Sequence, residues 1–210
     1  MAEAASPPPF ARPLREADVD PDPLRQFAAW FEQARAAGVR APEAAALATA
    51  TTDGRPSVRM VLVKETGAGG FVFYTNYESR KGRELAANPR AALLFHWDQL
   101  GRQVRVEGPV ERLSAADSAR YIRTRPRGSQ LSALASPQSR PVPGREWLER
   151  RVAELAARHG EGELPLPTSW GGYRLSAERL EFWQHREDRL HDRLLYTRAD
   201  GGWRRERLAP

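Results

Sequence analysis

The spacing of turn signals between residues 46 and 112 limits the fold more than any other feature. Asp53-Gly54, the glycines Gly67, Gly69 and Gly70, Asn88-Pro89 and Gly108-Pro109 punctuate segments of strand character. Ala46 to Thr52 reads as a strand, and Asp53-Gly54 as the hairpin turn that follows. In the next strand Val58, Met60 and Leu62 point one way and Arg59, Val61 and Val63 the other. After the glycine reversal Phe71 to Thr75 forms a third. The apolar run Ala91 to Trp97 predicts a buried strand. Gln103 to Arg112 alternates Val104 and Val106 against Gln103, Arg105 and Glu107, and Gly108-Pro109 predicts a bulge or an edge within it. Five strands in about 65 residues favour a small antiparallel barrel over a parallel sheet.

Helix signals flank this block. Asp22 is an expected N-cap with Pro23 at N1, followed by Leu24, Phe27, Ala28, Phe31 and Ala34 at helical spacing and by Gly38 as a stop. Ser79 is an expected N-cap for a short helix through Arg80, Lys81, Glu84, Leu85 and Ala86, broken at Asn88-Pro89. Ser114 to Asp117 resembles a capping box, with Asp in place of Glu or Gln, for a helix to about Thr124. Further helices are expected from Gly128 to Ala135 and from Trp147 to Arg158, the latter with Leu148, Val152 and Leu155 inward and Gly160 ending it. Tyr173 to Leu175, Leu180 to Gln184, Leu190 to Arg198 and Trp203 to Leu208 read as the last strands, with a hairpin turn over Ala199 to Gly202. The expected class is therefore mainly β with flanking helices, α+β. Residues 21–210 are expected to form one domain behind a mobile, Pro-rich leader at 1–20.

A chain of 210 residues with 40% hydrophobic and 29% charged residues is long enough and apolar enough for a real core. The absence of cysteine removes disulfides, thiolate nucleophiles and cysteine metal sites, and fits a cytoplasmic protein. No apolar run approaches the ~20 residues of a membrane span. The first residues lack the basic start and apolar core of a signal peptide. Net charge is +6, from 33 basic and 27 acidic residues. The basic residues are dispersed, and no helix-turn-helix, zinc finger or RNP pattern occurs, so a small anionic ligand is favoured over nucleic acid.

Three clusters carry candidate chemistry. Arg59, Lys64, Arg80 and Lys81 fall at strand ends and at a helix N-terminus, where cations are poor partners for the helix dipole unless an anion is bound. An anion site is one reading of this cluster, and two solvated cations on an ordinary helix is the other. Tyr121, Arg125, Arg127 and Ser129 gather where a helix ends, with Tyr121 and Arg125 on one face. Phenol, guanidinium and hydroxyl together suit phosphate, although a polar helix end has the same composition. On a strand, Arg189, His191 and Arg193 would share a face beside Phe182-Trp183-Gln184. They repel one another unless an anion or an electron-rich ring lies among them; the alternative is an Arg-rich edge strand.

Other motifs carry less. Gly67-Ala-Gly-Gly70 lacks the spacing and the following helix of a dinucleotide loop, so it is read as a turn. The four histidines show no metal-ligand spacing.

Taken in order, Arg59-Met-Val-Leu-Val-Lys64, Phe73-Tyr-Thr-Asn76 with Ser79-Arg-Lys81, Arg102-Gln-Val-Arg-Val-Glu-Gly108, Tyr121 with Arg125-Pro-Arg-Gly-Ser129, Gln138-Ser139, Trp170-Gly-Gly172, Phe182-Trp-Gln184 with Arg189-Leu-His-Asp-Arg193, and the ending Arg207-Leu-Ala-Pro210 make the chain resemble the pyridoxine/pyridoxamine 5'-phosphate oxidase family from about Asp22 to Pro210. The resemblance implies an antiparallel FMN-binding split β-barrel and a homodimer whose two subunits share each of two flavin sites. It implies FMN contacts from Arg59, Met60, Val61, Leu62, Val63, Lys64, Tyr74, Thr75, Arg80, Lys81, Gln103, Gln138, Ser139, Trp183 and Arg193. Lys64, Tyr121, Arg125 and Ser129 would hold the substrate phosphate. Arg189 and His191, with Leu190 between them, would meet the pyridine ring as the catalytic pair. The implied reaction oxidises pyridoxamine or pyridoxine 5'-phosphate to pyridoxal 5'-phosphate, by hydride transfer from C4' to flavin N5, with O2 reduced to H2O2. A phenazine-pathway oxidase and a non-catalytic flavin- or pyridoxal-phosphate-binding protein are the rivals; neither metal, nucleic acid nor membrane is expected. Many members carry an Arg and a Tyr in the leader that help cover the substrate. Here the first tyrosine is Tyr74, which leaves Arg12 or Arg15 as partial substitutes.

Overall fold

The computed structural model describes residues 12–67 and 69–210. In chain order these form α1 (Pro23–Ala36), β1 (Ala44–Ala50), β2 (Pro56–Glu65), β3 (Phe71–Asn76), α2 (Arg80–Ala87), β4 (Arg90–Trp97), β5 (Arg102–Arg112), α3 (Ala115–Thr124), α4 (Arg127–Ala135), α5 (Arg145–His159), β6 (Trp170–Leu175), β7 (Arg179–Gln184), β8 (Asp192–Ala199) and β9 (Gly202–Arg207). The strand pairings among them are antiparallel. Six strands close a barrel in the order β1-β2-β3-β6-β5-β4 and back to β1, and β7, β8 and β9 extend it. This is the small antiparallel barrel that the turn spacing predicts.

The closure depends on β5. One edge of this strand pairs with β4 from Arg102 to Pro109. The other edge pairs with β7 over Arg102 to Glu107, then with β6 over Val110 to Arg112. The change of partner falls at Gly108-Pro109, where the sequence predicted a bulge or an edge. A Cβ on Gly108 would lie 1.9 Å from the carbonyl oxygen of Ser176, in the link between β6 and β7. Only a residue without a side chain admits that approach.

Helix α1 packs on the barrel through the residues its periodicity put inward. The Asp22 carboxylate accepts from the Leu24 backbone N–H at 2.9 Å, and Pro23 needs no such partner. Phe27 meets Phe71 and Phe95 with ring centroids 5.0 and 4.9 Å apart, and Trp30 meets Phe182 edge-on at 5.2 Å. These rings join Leu47, Phe73, Leu93, Val104, Val106 and Leu180 in one buried cluster. Leu131, Ala135, Leu155 and Leu164 form a second, smaller cluster under α4 and α5. Ser114 caps α3 as expected, although the Asp117 carboxylate takes its hydroxyl (2.7 Å) instead of the backbone N–H of a capping box.

Two expectations change. The strand read from Leu190 begins at Asp192, because Glu187–Arg189 is a 3-10 turn with Asp188 and Arg189 at φ +56° and +60°. Arg189, His191 and Arg193 therefore do not share one strand face. Of the leader expected to be mobile, residues 1–11 lie outside the described residues, and the remainder packs against the barrel. Leu14 and Val19 are buried, Asp192 accepts from the Leu14 N–H at 3.0 Å, and Gln184 donates to the Arg12 carbonyl at 2.7 Å. Arg207 bonds both Glu16 (2.8 Å) and the Leu14 carbonyl (2.7 Å). The physical reason is two apolar side chains and an acidic residue that find partners on β8 and β9.

Gly108→Ala tests the partner switch. The added methyl has no room, and overpacking of this kind costs about 1–3 kcal/mol. Urea denaturation of the variant is expected to show a lower midpoint; an unchanged midpoint would mean that the switch tolerates a side chain.

Candidate functional site

The cationic residues of the β2–β3–α2 region converge on one another. Ser79 caps α2 by accepting from the Gly82 N–H at 3.2 Å. A Cβ on Gly82 would sit 2.1 Å from the Tyr77 carbonyl oxygen, so the first turn of the helix is pressed against the end of β3. That approach buries Lys81. Its ammonium donates to Thr75 Oγ1 (3.1 Å) and to Gln138 Oε1 (2.9 Å). Both partners are neutral oxygens. Burial, and then the Arg59 charge, push the Lys81 pKa down to about 8, against the opposing pull of Glu84.

Arg59 lies beside it on β2, donating to the Leu47 carbonyl (3.0 Å), to Thr49 (2.6 Å) and to Ser57. Arg59 and Arg80 share one carboxylate, Glu84, at 3.4 and 2.9 Å. Glu84 is 5% exposed and also accepts from Thr49 and Ser57 at 2.5 Å each. Its burial opposes ionisation, but the hydrogen bonds from Ser57, Thr49 and Arg80 and the Arg59 charge outweigh it and hold the pKa at about 2. The remaining β2 candidates divide by face. Met60 and Leu62 are exposed, Val61 is half-buried, Val63 is buried, and Lys64 is exposed with Glu43 at 3.8 Å. Ser139, next to Gln138, has φ +69°.

An aromatic stack adjoins this cluster. Tyr74 on β3 stacks on Tyr121 of α3 at 3.8 Å and 14°, and on Trp170 of β6 at 5.5 Å and 13°. Arg125 holds its guanidinium 5.3 Å from the Trp170 ring centre. Arg125 is not on the helix face with Tyr121: α3 stops at Thr124, and Arg125 has extended backbone. Ser129 sits in the first turn of α4. Arg127 leaves this group, because it donates to the carbonyls of Gly160 and Gly162 past the end of α5.

Gln103, Trp183 and Arg193 form a second group, on β5, β7 and β8. They line a cavity of about 230 Å³ with Leu94, Arg105, Glu181 and Pro210. Arg193 is held by the Glu181 carboxylate (2.7 Å) and by the Ala209 carbonyl (3.0 Å). The Trp183 ring lies 4.6 Å from His191, which is 5.3 Å from His185. His191 Nδ1 accepts from the Arg186 backbone N–H at 3.1 Å. Arg189 and His191 line a second cavity, on which Trp183 also borders, and Leu190 is 70% exposed.

The predicted residues thus fall into two groups within one chain: the basic cluster with its aromatic stack, and the β5–β7–β8 face. Sequence reasoning missed two carboxylates, Glu84 and Glu181, as site residues. Glu84 was readable as the i+4 partner of Arg80 on a helix; Glu181 had no such signal, because its partner Arg105 is on another strand. Among the described residues no group of three or more His, Asp or Glu side chains could hold a metal ion, and no helix is long and apolar enough to cross a membrane.

Barrel and extension together make this a split-barrel protein, and comparison with known proteins agrees. Residues 31–159 match the family described as pyridoxamine 5'-phosphate oxidase, and residues 170–210 match the pyridoxine 5'-phosphate oxidase C-terminal dimerisation region. A pyridoxine/pyridoxamine 5'-phosphate oxidase of Rubrobacter xylanophilus is 60% identical over 197 residues, covering 94% of this chain and 91% of the relative. One from a Cyanothece species is 52% identical, covering 94% and 92%. Among solved structures, PhzG from Burkholderia lata 383, in complex with tetrahydrophenazine-1-carboxylic acid, superposes with a TM-score of 0.88 at 36% identity, covering 94% of this chain and 98% of that one. The chain belongs to the pyridoxamine 5'-phosphate oxidase family.

The Glu84 network carries a pH dependence. Its folded pKa, about 2, lies below the ordinary 4.5, so its stabilising contribution is complete above pH 4.5 and is lost as pH falls toward 2. Glu16, also held at about 2 by Arg207, adds a loss in the same window. The urea midpoint of the wild type should fall more steeply across that window than that of Glu84→Gln. Parallel curves would remove Glu84 from the acid limb.

Proposed function

We propose that the protein is an FMN-dependent homodimeric oxidase of the cytoplasm that converts pyridoxamine or pyridoxine 5'-phosphate to pyridoxal 5'-phosphate. The observation that carries this reading is the burial of Lys81 against neutral oxygens beside Arg59. With the single carboxylate Glu84 shared by Arg59 and Arg80, the cluster keeps a net positive charge that favours a bound anion, and a phosphate offers oxygens to Lys81 and Arg59. Thr75 and Gln138 complete the polar lining, so the residues present fit the phosphate end of FMN. When bound, FMN supplies the two-electron chemistry and passes the electrons to dioxygen.

The chain's own residues then have distinct tasks. Arg125 and Tyr121, with Lys64 and Ser129, bind the substrate phosphate; the stack of Tyr74, Tyr121 and Trp170 fixes the phenol in place. Charge-assisted hydrogen bonds of this kind are worth roughly 1.5–3 kcal/mol each. Arg189 and His191 orient the pyridine ring. Because Nδ1 of His191 accepts a backbone N–H, the neutral imidazole carries its proton on Nε2 and presents a donor there. Gln103, Trp183 and Arg193 belong to the other half of the site, which a second copy of the chain supplies.

An apolar row supports that second copy. Leu94, Ala46 and Met60 lie side by side across β4, β1 and β2, and Met60 (63%), Val58 (68%) and Leu62 (46%) are exposed. Such a row on a sheet face marks an association surface. The likeness to PhzG favours one alternative, a related oxidase acting on a phenazine precursor.

The purified protein should be yellow and should bleach on anaerobic addition of pyridoxamine 5'-phosphate. A colourless preparation that takes up no FMN would end the flavin reading, and oxygen uptake with a phenazine precursor but not with the vitamin phosphates would establish the alternative. Arg189→Ala should keep the dimer and its flavin while turnover falls by at least tenfold, the rate effect of losing ~1.4 kcal/mol of orientation. Loss of flavin with unchanged turnover per bound flavin would show that Arg189 has another task.

A further inference from the structure

Glu84 is a buried carboxylate in the middle of a cationic cluster, and the proposed reaction assigns it no part. The charged groups that face it are Arg59 from β2 and, from its own helix, Arg80 and Lys81, with neutral Thr49 from β1 and Ser57 from β2. Lys81 has Glu84 three residues further along α2, on the same helix face, and Arg59 across from it on β2, with neutral Thr75 from β3, Ser79 from the helix cap and Gln138 from the segment after α4. Three cations against one carboxylate leave the cluster at plus two. A phosphate monoester carries about minus two at neutral pH.

We propose that Glu84 is the positioning residue of this cluster, a fixed counter-charge that anchors Arg59 and Arg80, keeps Lys81 protonated, and matches the net charge of the site to a phosphate dianion. Without it, Arg59 and Arg80 would lose their shared anchor, and Lys81 would face Arg59 with no opposing field. Burial already weakens the hold of Lys81 on its proton. Removing the one negative neighbour weakens it further. The role differs from that of a phosphate ligand, since an acidic side chain repels the anion it helps to admit.

The inference rests on the flavin reading above and is tested on flavin-stripped protein by titration with FMN and with riboflavin, which lacks the phosphate. The ratio of the two affinities isolates the phosphate contacts. In the wild type this preference for FMN should begin to fall near pH 8, where Lys81 in the flavin-free protein is half deprotonated. In Glu84→Gln the onset should move down by about one pH unit, the scale of a single neighbouring charge. A merely structural glutamate would lower stability and leave the onset where it was, and an unmoved onset overturns the proposal. Glu84→Asp covers the case in which the glutamine variant does not fold. It keeps the charge but shortens the reach, so the onset should stay near pH 8 while the preference for FMN falls several-fold. An unchanged preference would overturn the anchoring role. If the stripped wild type binds no FMN at any pH, the flavin reading falls and takes this inference with it; if it binds FMN with an onset indifferent to Glu84, only this inference falls.

Discussion

A strand has two hydrogen-bonding edges, and β5 gives one of them to two partners. Its outer edge serves β7 along Arg102 to Glu107 and β6 along Val110 to Arg112, while β4 holds the other edge. Neither the closed barrel nor the three-stranded extension exists without that division. Pairing with β6 closes the barrel, and β6 in turn pairs with β3, where Trp170 stacks on Tyr74. Pairing with β7 turns the last strands outward and sets Gln103, Trp183 and Arg193 on a face of their own. The backbone at Gly108 is what allows the Ser176 carbonyl to approach the junction.

The electrostatics follow the same division. Where barrel and extension join, Arg105 of β5 and Arg193 of β8 converge on the buried Glu181 of β7, so their charges are met within the chain. In the basic cluster only Arg59 and Arg80 are met in this way, through Glu84; the hydrogen-bond partners of Lys81 are neutral oxygens. From sequence, the cations at strand ends and at the start of α2 admitted two readings, a bound anion or plain solvation. The fold refines this choice, because buried carboxylates satisfy the arginines and leave the lysine as the group that gains most from an external phosphate.

Local signals were legible where the backbone obeys local rules. The Asp22 and Ser79 caps, the Gly38 and Gly160 stops, and the alternation of Val58, Met60 and Leu62 against Val61 and Val63 all have their cause within a few residues. The turn before β8 does not. Asp188 and Arg189 adopt left-handed backbone, which an Arg seldom does, and nothing nearby in the sequence signals it. Arg127 was misplaced for a related reason: its partners, the Gly160 and Gly162 carbonyls, lie more than thirty residues away along the chain. Spacing shows that an arginine stands at a helix end, but not which distant carbonyls it will satisfy. The docked part of the leader, anchored through Leu14, Glu16 and Val19, is long-range in the same sense.

The division of β5 also bears on how binding and assembly are linked in the proposed enzyme. If each flavin takes its phosphate contacts from one chain and its Gln103, Trp183 and Arg193 contacts from another, a monomer offers half a site twice over and a complete site nowhere. Flavin affinity and dimer affinity then share one free energy, and each must rise with the other by mass action. The apolar row of Leu94, Ala46 and Met60 supplies attraction that does not depend on flavin, so association can precede loading. The basic clusters act in the opposite sense, because two copies brought together concentrate positive charge at the join. A carboxylate inside each cluster reduces that repulsion before a phosphate arrives. If Glu84 has the counter-charge role proposed for it and the clusters meet at the join, a protein without it would depend more heavily on its cofactor to remain a dimer.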